Sequence, residues 1–307
     1  MMPLCANRVK KMKRCAILSM DSLEGYFVYD HLLEEPMSEA GWQLQTLSWR
    51  EKDVDWNQFD VVLIRSPWDY QKDAKAFLSC LQRIEASSAV LENPLALVRW
   101  NIDKAYLREI EQKGIPVVPT LWQSRFDLQT VQRAFTHFDT DELIIKPLVS
   151  ANADDTFRLD SSTLQACAGQ LAEVFCQRKH MIQPFLNTVI DEGEYSLFYF
   201  GGQYSHAIIK RPKEADFRVQ EEHGGRLESI EPTPELLTLA ERTLAAIPYP
   251  PLYARLDFIR HGPGFAVMEL ELIEPSLYFN MDEESPRRFS RAFVEKFGPG
   301  QPACLSR

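Results

Sequence analysis

No two cysteines in the chain fall at a C-x-x-C spacing, and the six present (Cys5, Cys15, Cys80, Cys167, Cys176 and Cys304) are scattered along 307 residues. That pattern argues against a disulfide framework or a thiolate zinc site and suits a reducing, cytoplasmic setting. Long apolar runs are also missing. The stretch Cys15–Met20, which follows the basic cluster Arg8, Lys10, Lys11, Lys13 and Arg14, is too short for a signal h-region or a membrane span. Residues 1–12 read as a loose extension, with the fold starting near Lys13. Positive charge is in deficit: 34 Lys and Arg stand against 44 Asp and Glu, a net charge of −10. An acidic surface repels phosphate backbones and anionic membranes, so neither nucleic acid nor a membrane is expected as a partner. A local basic pocket remains compatible with that balance. The chain also lacks internal repeats and low-complexity tracts.

What is present is a strand–helix alternation followed by hairpins. Arg14–Ser19 reads as a buried strand, Tyr29, Leu32, Leu33 and Met37 as a helical face ending at Gly41, and Phe59–Arg65 as a second strand. Helix Ala74–Glu85 and strand Ala89–Glu92, stopped by Asn93-Pro94, complete a parallel α/β lobe over residues 13–95. Helix Leu97–Lys113 closes on Gly114. Strand Val117–Trp122, helix Leu128–Phe138, strand Glu142–Pro147, a polar loop Val149–Thr156, helix Thr163–Gln177 and strand His180–Phe185 follow, forming an α+β lid over residues 96–186. Over residues 187–307 a hairpin turns at Gly201-Gly202, helix Pro234–Ile247 follows, a second hairpin turns at Gly262-Pro263-Gly264, and helix Pro286–Phe297 ends the fold. The fold class expected is α/β in the first lobe and α+β in the other two.

The second hairpin carries the strongest chemical signal. Val267-Met-Glu-Leu-Glu-Leu272 alternates, so Met268, Leu270 and Leu272 should face a core while Glu269 and Glu271 share the other face. Two such carboxylates lie about 7 Å apart at Cα, a spacing that suits one or two divalent ions held by oxygen ligands. The partner strand offers Arg255 and Asp257. A three-residue loop, Gly262–Gly264, sets Asp257 opposite Glu269 and Arg255 opposite Glu271, whereas a four-residue loop separates them onto opposite faces. Taken alone, the hairpin is equally consistent with a solvated strand face bearing two cross-strand ion pairs.

Two lysines bear on that choice. Lys146 ends the apolar strand Leu143–Pro147 and precedes the polar loop, where an ammonium can reach a phosphate. Lys104, in Asn101-Ile-Asp-Lys104, sits on a helix that otherwise turns apolar residues inward. The strand Met181–Leu186 can offer backbone donors and acceptors to a purine edge, with Phe185 as an apolar wall. Glu194, with Asp191 as a competitor, can accept from ribose hydroxyls.

In this order, Lys104, Lys146, Gln183-Pro184-Phe185-Leu186, Glu194, Arg255-Leu-Asp257 and Glu269-Leu-Glu271 resemble the ATP-grasp superfamily in its glutathione synthetase, D-alanine–D-alanine ligase and RimK-like branches. The resemblance spans Lys13 to Phe297. A narrower likeness, to the ATP-grasp ligases of the cycloserine-biosynthesis type, rests on Arg65-Ser-Pro-Trp-Asp-Tyr70, Asn93-Pro94, Arg99–Lys104, Val149-Ser150 and Glu269–Leu277. In the ligase that names that type, ATP drives ring closure of an O-ureidoserine.

The resemblance implies an ATP-grasp fold and ATP with Mg²⁺. Lys104 and Lys146 would contact phosphates, Ser150 the nucleotide, residues 183–186 adenine, and Glu194 ribose. Asp257, Glu269 and Glu271 would hold the metal, with Arg255 and Lys146 as the catalytic cations. The expected reaction is activation of a carboxyl or carbonyl group of a small amino-acid-like substrate, then attack by an amine and release of ADP and phosphate. Arg65, Ser66, Trp68, Arg218, His223 and Gly225 are the substrate-side candidates, with Trp68, Asp69 and Tyr70 as a wall. Two departures stand out. The loop Val149–Thr156 is not glycine-rich and leaves Ser150, Asn152 and Thr156 as donors. Glu271 stands where asparagine is usual, which should tighten Mg²⁺ or favour Mn²⁺. A small-molecule kinase and a non-catalytic nucleotide binder are the alternatives. Related ligases are commonly homodimers, although no interface is visible in the sequence.

Overall fold

The computed structural model describes residues 12–214 and 216–300. The extension expected over residues 1–12 therefore lies, apart from its last residue, outside the described residues, as do Cys5 and Cys304.

The first sheet is built from β1 (Lys13–Ser19), a short helix α1 (Glu34–Glu39), β2 (Trp42–Ser48), β3 (Val61–Ser66), α2 (Ala74–Glu85) and β4 (Val90–Glu92). Its order β2-β1-β3-β4 is parallel throughout. Asp73 caps α2 by accepting from the Ala76 amide at 3.0 Å. Phe77, Cys80, Leu81 and Ile84 then fall on one buried face at helical spacing. The expected helix Leu97–Lys113 is two helices, α3 (Leu95–Asn101) and α4 (Tyr106–Gln112). The break arises because the Asp103 carboxylate takes the Ala105 amide (2.9 Å) and the Lys104 amide donates to the Leu148 carbonyl (2.9 Å) instead of up the helix. Lys104 is thus in a turn. Gly114 takes the expected left-handed conformation after α4, at φ +79°.

The central sheet holds β5 (Leu121–Gln123), β6 (Glu142–Pro147), β7 (Phe157–Asp160) and β8 (His180–Pro184), all antiparallel, in the order β5-β8-β6-β7. Its helices are α5 (Leu128–Phe138) and α6 (Ser161–Phe175). Asp127 caps α5, and a reciprocal Asp160–Thr163 capping box starts α6.

After a four-residue helix α7 (Thr188–Asp191), β9 (Glu194–Phe200), β10 (Gln203–Arg211), β11 (Arg226–Ser229), β12 (Tyr253–His261) and β13 (Gly264–Glu271) form the third sheet, in the order β11-β10-β9-β12-β13. One face packs on α4 and on α8 (Pro234–Ala246) through Leu256, Leu270 and Leu272. The other shares a core with the first sheet and with α9 (Ser285–Phe297), where Trp42 meets Phe293 edge-on at 4.7 Å.

The hairpin β12–β13 brings Asp257 opposite Glu269 and Arg255 opposite Glu271, as a three-residue loop would. The device differs, however. His261 pairs with Gly264, so the turn has two residues, and the register shifts between Asp257 and Phe258 to leave Met268 as an unpaired extra residue. In consequence Val267, not Met268, joins Leu270 and Leu272 in the core, while Met268 turns into the cleft described below.

β13 is an edge strand whose outward backbone groups are nonetheless satisfied. The Pro116 carbonyl accepts from Val267 (2.9 Å) and the Tyr106 hydroxyl from the Leu270 amide (2.8 Å). Asn101 donates to the Leu270 carbonyl at 2.8 Å and accepts from Leu272 at 3.2 Å, and Asn93 donates to the Leu272 carbonyl at 2.8 Å. Two of the asparagines in the sequence likeness thus hold the carboxylate-bearing strand.

Candidate active site

One cleft is lined by strands of the central and third sheets and by the first-lobe segments that hold Tyr26, Trp68 and Tyr70. Its lining includes Lys104, Lys146, Lys210 and Arg255 beside Glu194, Glu269, Glu271 and Glu274. An apolar slot made by Ile144, Phe185, Leu186, Phe217, Ile259 and Met268 continues from these charges. The Phe185 ring is braced by the Arg158 guanidinium at 3.8 Å, which is itself held bidentately by Glu142 at 2.9 and 2.7 Å. Gln183 donates to Thr120 Oγ1 at 2.9 Å, leaving the backbone of residues 183–186 along the slot.

The charges form two linked sets. Arg255, 7% exposed, reaches Asp257 through Nε (3.1 Å to each oxygen) and Nη2 (3.0 Å), and also pairs with Glu271. Lys210, 3% exposed, pairs with Glu194 and lies 3.5 Å from Asp257, which also accepts from the Ser196 hydroxyl at 2.5 Å. Lys104 Nζ lies 2.8 Å from Glu269 and donates to the Ser150 carbonyl at 2.8 Å. Lys146 is the exception: among the described residues it has no carboxylate partner within ion-pair distance. Lost hydration pulls its pKa down, with Glu269 partly restoring it.

Burial alone would raise the Asp257 and Glu269 carboxyls, but Arg255 and Lys104 respectively overcome it and hold them low. Glu271 goes the other way, pushed up to about 8 by burial and by the neighbouring Asp257 and Glu269, against the pull of Arg255. Glu274 is pushed up to about 7, again chiefly by burial. Among the described residues no three Asp, Glu, His or Cys side chains converge tightly enough to grip a metal, because Lys104 and Arg255 draw the carboxylates apart. The donor set nevertheless fits a hard divalent ion. All its donors are carboxylate oxygens on facing strand positions.

The sign of the resulting pH dependence follows directly. Glu271 and Glu274 have folded-state pKa values above the ordinary 4.5, so the folded chain keeps protons that the unfolded chain has released. In chelator and without nucleotide, the melting temperature is expected to fall as pH rises from about 5 to about 8, and Glu271→Gln is expected to flatten that slope. Thermal denaturation across that range checks it; a rising or level wild-type profile counts against the assignment.

The polar loop closes one side of the cleft. Asn152 donates to the Trp68 carbonyl (2.9 Å), Gln71 to Asp154 (2.8 Å), and Arg178 to Asp155 (2.5 Å) and the Val149 carbonyl (3.1 Å). Asn152, Ala153 and Asp155 all take positive φ (55°, 58° and 53°), a conformation glycine would adopt without strain.

The family model of the D-cycloserine synthetase DcsG N-terminal domain matches residues 15–93. The cycloserine biosynthesis protein DcsG of Streptomyces lavendulae is 28% identical over 282 residues, covering 87% of this chain and 93% of that protein. The crystal structure of D-cycloserine synthetase DcsG superposes at a TM-score of 0.81 with 26% identity, covering 92% of this chain and 99% of the other. This chain belongs to the ATP-grasp superfamily. A D-alanine–D-alanine ligase from Bacillus anthracis shares the fold at 12% identity, with a TM-score of 0.66 and coverage of 93% and 97%. The ATP-grasp architecture expected from the sequence, a parallel α/β lobe followed by two α+β parts, is the one observed. The chain is an ATP-grasp ligase, an enzyme of the class that uses ATP with Mg²⁺. Among its described residues no helix is long and apolar enough to cross a membrane.

The ATP-grasp cleft gathers most of the residues expected from sequence: Lys104, Lys146, Ser150, Gln183, Pro184, Phe185, Leu186, Glu194, Arg255, Glu269 and Glu271, and two of the substrate-side candidates, Trp68 and Arg218, also line it. Asp257 lies just behind, reached through Arg255 and Lys210. Four substrate-side expectations need correction. Arg65, 1% exposed, is spent on Asp30 (3.1 and 3.0 Å) and on the Pro275 carbonyl (2.9 Å), away from the cleft wall. Ser66 is buried against Ser19 Oγ at 3.1 Å. His223 ends a short 3-10 turn outside the lining. Gly225 is required by space, since a Cβ there would meet the Val219 carbonyl oxygen at 2.0 Å. Gly225→Ala is expected to push loop 212–225 aside and lower stability by about 1–3 kcal/mol, read from the melting temperature; an unchanged melt would show that the loop yields freely. Arg218 lines the cleft but is occupied by Asp216 at 3.1 and 2.8 Å.

Sequence reasoning placed the stretch from Lys210 over the site and Glu274 within the family likeness, but gave Lys210, Glu274 and Tyr278 no role of their own. Glu194 and Lys210 do pair across the first hairpin, but only because of a register shift between Tyr204 and His206 that no local pattern announces.

Proposed function

We propose that this ATP-grasp enzyme phosphorylates a carboxyl group of a small amino-acid-like substrate and then joins it to an amine, in the same molecule or in a second one. The observation that carries this reading is a single cleft in which an apolar slot meets Lys104, Lys146, Lys210 and Arg255 beside Glu194, Glu269, Glu271 and Glu274. The slot beside Phe185 takes the adenine, with the backbone of residues 183–186 along its edge, and Glu194 with Lys210 borders the ribose. Lys146, which has no carboxylate partner among the described residues, and Lys104, releasable from Glu269, neutralise phosphate oxygens. Asp257, Glu269 and Glu271 would hold the Mg²⁺, which supplies charge neutralisation to the β- and γ-phosphates when bound. The third acidic position, Glu271, favours tight Mg²⁺ or Mn²⁺ binding.

Arg255 faces the transferring phosphoryl group and later the oxyanion on the substrate carbonyl. In the first step a carboxylate oxygen takes the γ-phosphoryl group and the bond to ADP breaks. In the second, the amine nitrogen bonds to the carbonyl carbon, loses a proton, and phosphate departs. The strapped loop Val149–Thr156 keeps water from the activated carboxyl.

The test is ADP and phosphate release from Mg-ATP, screened against amino acids, ureido amino acids and dipeptides, with Glu269→Gln and Lys146→Ala as controls. Release that depends on an added substrate and is lost in both variants supports the ligase. A stable phosphorylated product formed without a nucleophile would instead indicate a kinase. Unchanged turnover in either variant would overturn the assigned site.

A further inference from the structure

Beyond β13 the chain runs Glu274-Pro-Ser-Leu-Tyr278 across the cleft mouth, and four successive carbonyls there each accept from a different side chain. Trp68 Nε1 donates to Glu274 O (2.9 Å), Arg65 Nη2 to Pro275 O (2.9 Å), Arg255 Nη1 to Ser276 O (3.3 Å), and His206 Nε2 lies 3.2 Å from Leu277 O. Two of these donors come from the first lobe and two from the third sheet. His206, stacked on Phe198 at 4.2 Å, stays neutral with its pKa lowered to about 4 by burial, so the Nε2–H tautomer serves as the donor. Tyr278 ends the strip in a left-handed conformation at φ 44°. With the backbone pinned from behind, the alternate side chains Glu274, Ser276 and Tyr278 all line the cleft. Such a strip is preorganised, because its backbone pays no further ordering cost when a ligand arrives.

Glu274 is the anomaly on this strip. Glu194, Glu269 and Glu271 each have a Lys or Arg partner, whereas among the described residues Glu274 has none within ion-pair distance. The Tyr70 side chain lies near it, and the charges of Lys104 and Arg255 act on it from beyond ion-pair distance. Trp68, which holds the Glu274 carbonyl, lies 5.4 Å from the Tyr26 ring between centroids, and both rings line the cleft. A half-buried carboxylate without a counter-ion, next to aromatic faces, is the arrangement that takes an organic cation.

We propose that Glu274, flanked by Trp68 and Tyr70, is the counter-ion for a protonated amine on the substrate whose carboxyl is activated. The inference rests on the ligase reading and narrows its substrate class to molecules carrying a free ammonium group in addition to the reacting carboxyl.

The experiment uses the full-length chain saturated with Mg-ADP, titrated by calorimetry with each enantiomer of serine and with 3-hydroxypropionate, which differs from serine by the amine alone. One serine enantiomer is expected to bind at least about tenfold more tightly than 3-hydroxypropionate. Glu274→Gln should erase that preference and Glu274→Asp should keep it, with Mg-ADP affinity on the same samples reporting an intact fold. Equal binding by the two ligands, including no binding by either, overturns the proposal. So does a preference that survives Glu274→Gln, or one lost as completely in Glu274→Asp. Failure of the ligase reading is separate: it appears as the absence of substrate-stimulated ADP release, whatever the serine preference.

Discussion

Exchanging Arg255 for methionine is expected to lower folding stability by about 3–5 kcal/mol and to remove substrate-dependent ADP release. The guanidinium makes three contacts of 3.0–3.1 Å to Asp257, pairs with Glu271 and donates to the Ser276 carbonyl. Without it, two carboxylates keep their burial penalty and lose their counter-charge, and the pinned strip loses one of four anchors. Lysine should restore little of either property, since one ammonium cannot span both carboxylates and the carbonyl as a planar fork does. Chemical denaturation of the nucleotide-free protein gives the first number and coupled ADP detection the second. A stability loss under about 1 kcal/mol would mean that solvent screens the pair and that the site is far more open than its burial suggests.

Lys146→Met should separate stability from activity in the opposite sense. This lysine carries a desolvation penalty with no carboxylate partner among the described residues, so replacing it with an apolar chain of similar length is expected to leave the melting temperature unchanged or raised. Turnover should fall by a factor of about 10²–10³, the usual consequence of removing one preorganised charge from a reacting centre. Because burial lowers its pKa, the penalty is full at low pH and is relieved as pH climbs towards the ordinary lysine value of 10.5. The stabilising effect of the substitution should therefore shrink in alkaline buffer. A marked loss of stability at neutral pH would show that Lys146 is a structural cation.

Interior elements were legible in the sequence, and the strands it missed lie at sheet edges. Helices Ala74–Glu85 and Leu128–Phe138 and strand Glu142–Pro147 have the bounds that their periodicity and caps predict. The strands that escaped, Trp42–Ser48, Phe157–Asp160 and Arg226–Ser229, are each the edge of their sheet. An edge strand meets solvent, so its residues are mixed or charged, and its hydrogen bonds come from a neighbour that local sequence does not identify. β13 is also an edge, but it was readable because its glutamates alternate with core residues. At the site, Lys146, residues 183–186 and the paired carboxylates were accessible for the same reason, since strand periodicity fixes which side chains share a face. Glu274 and Tyr278 lie in a segment with no period, and their orientation comes from Trp68, Arg65, Arg255 and His206 far away in sequence. Arg65 shows the converse: its charge suggested a ligand contact, and only its partners reveal an anchor.

Both hairpins of the third sheet combine a two-residue turn with a single inserted residue further along, near Ser205 in one and at Met268 in the other. Each pair of deviations behaves like two frameshifts that cancel: downstream of the insertion, opposing positions match those of a strand joined by a longer loop. The turn and the charged pairs are consequently not independent parts. Lengthening Gly262-Pro263 by one residue would carry Asp257 out of step with Glu269, and deleting Met268 alone would do the same. Making both changes together should restore the pairing. Grafting loops between ATP-grasp chains therefore has to move the tip and its correction as one unit, even though the ordinary ladder Gly264–Val267 lies between them in the second hairpin and Gln203–Tyr204 in the first.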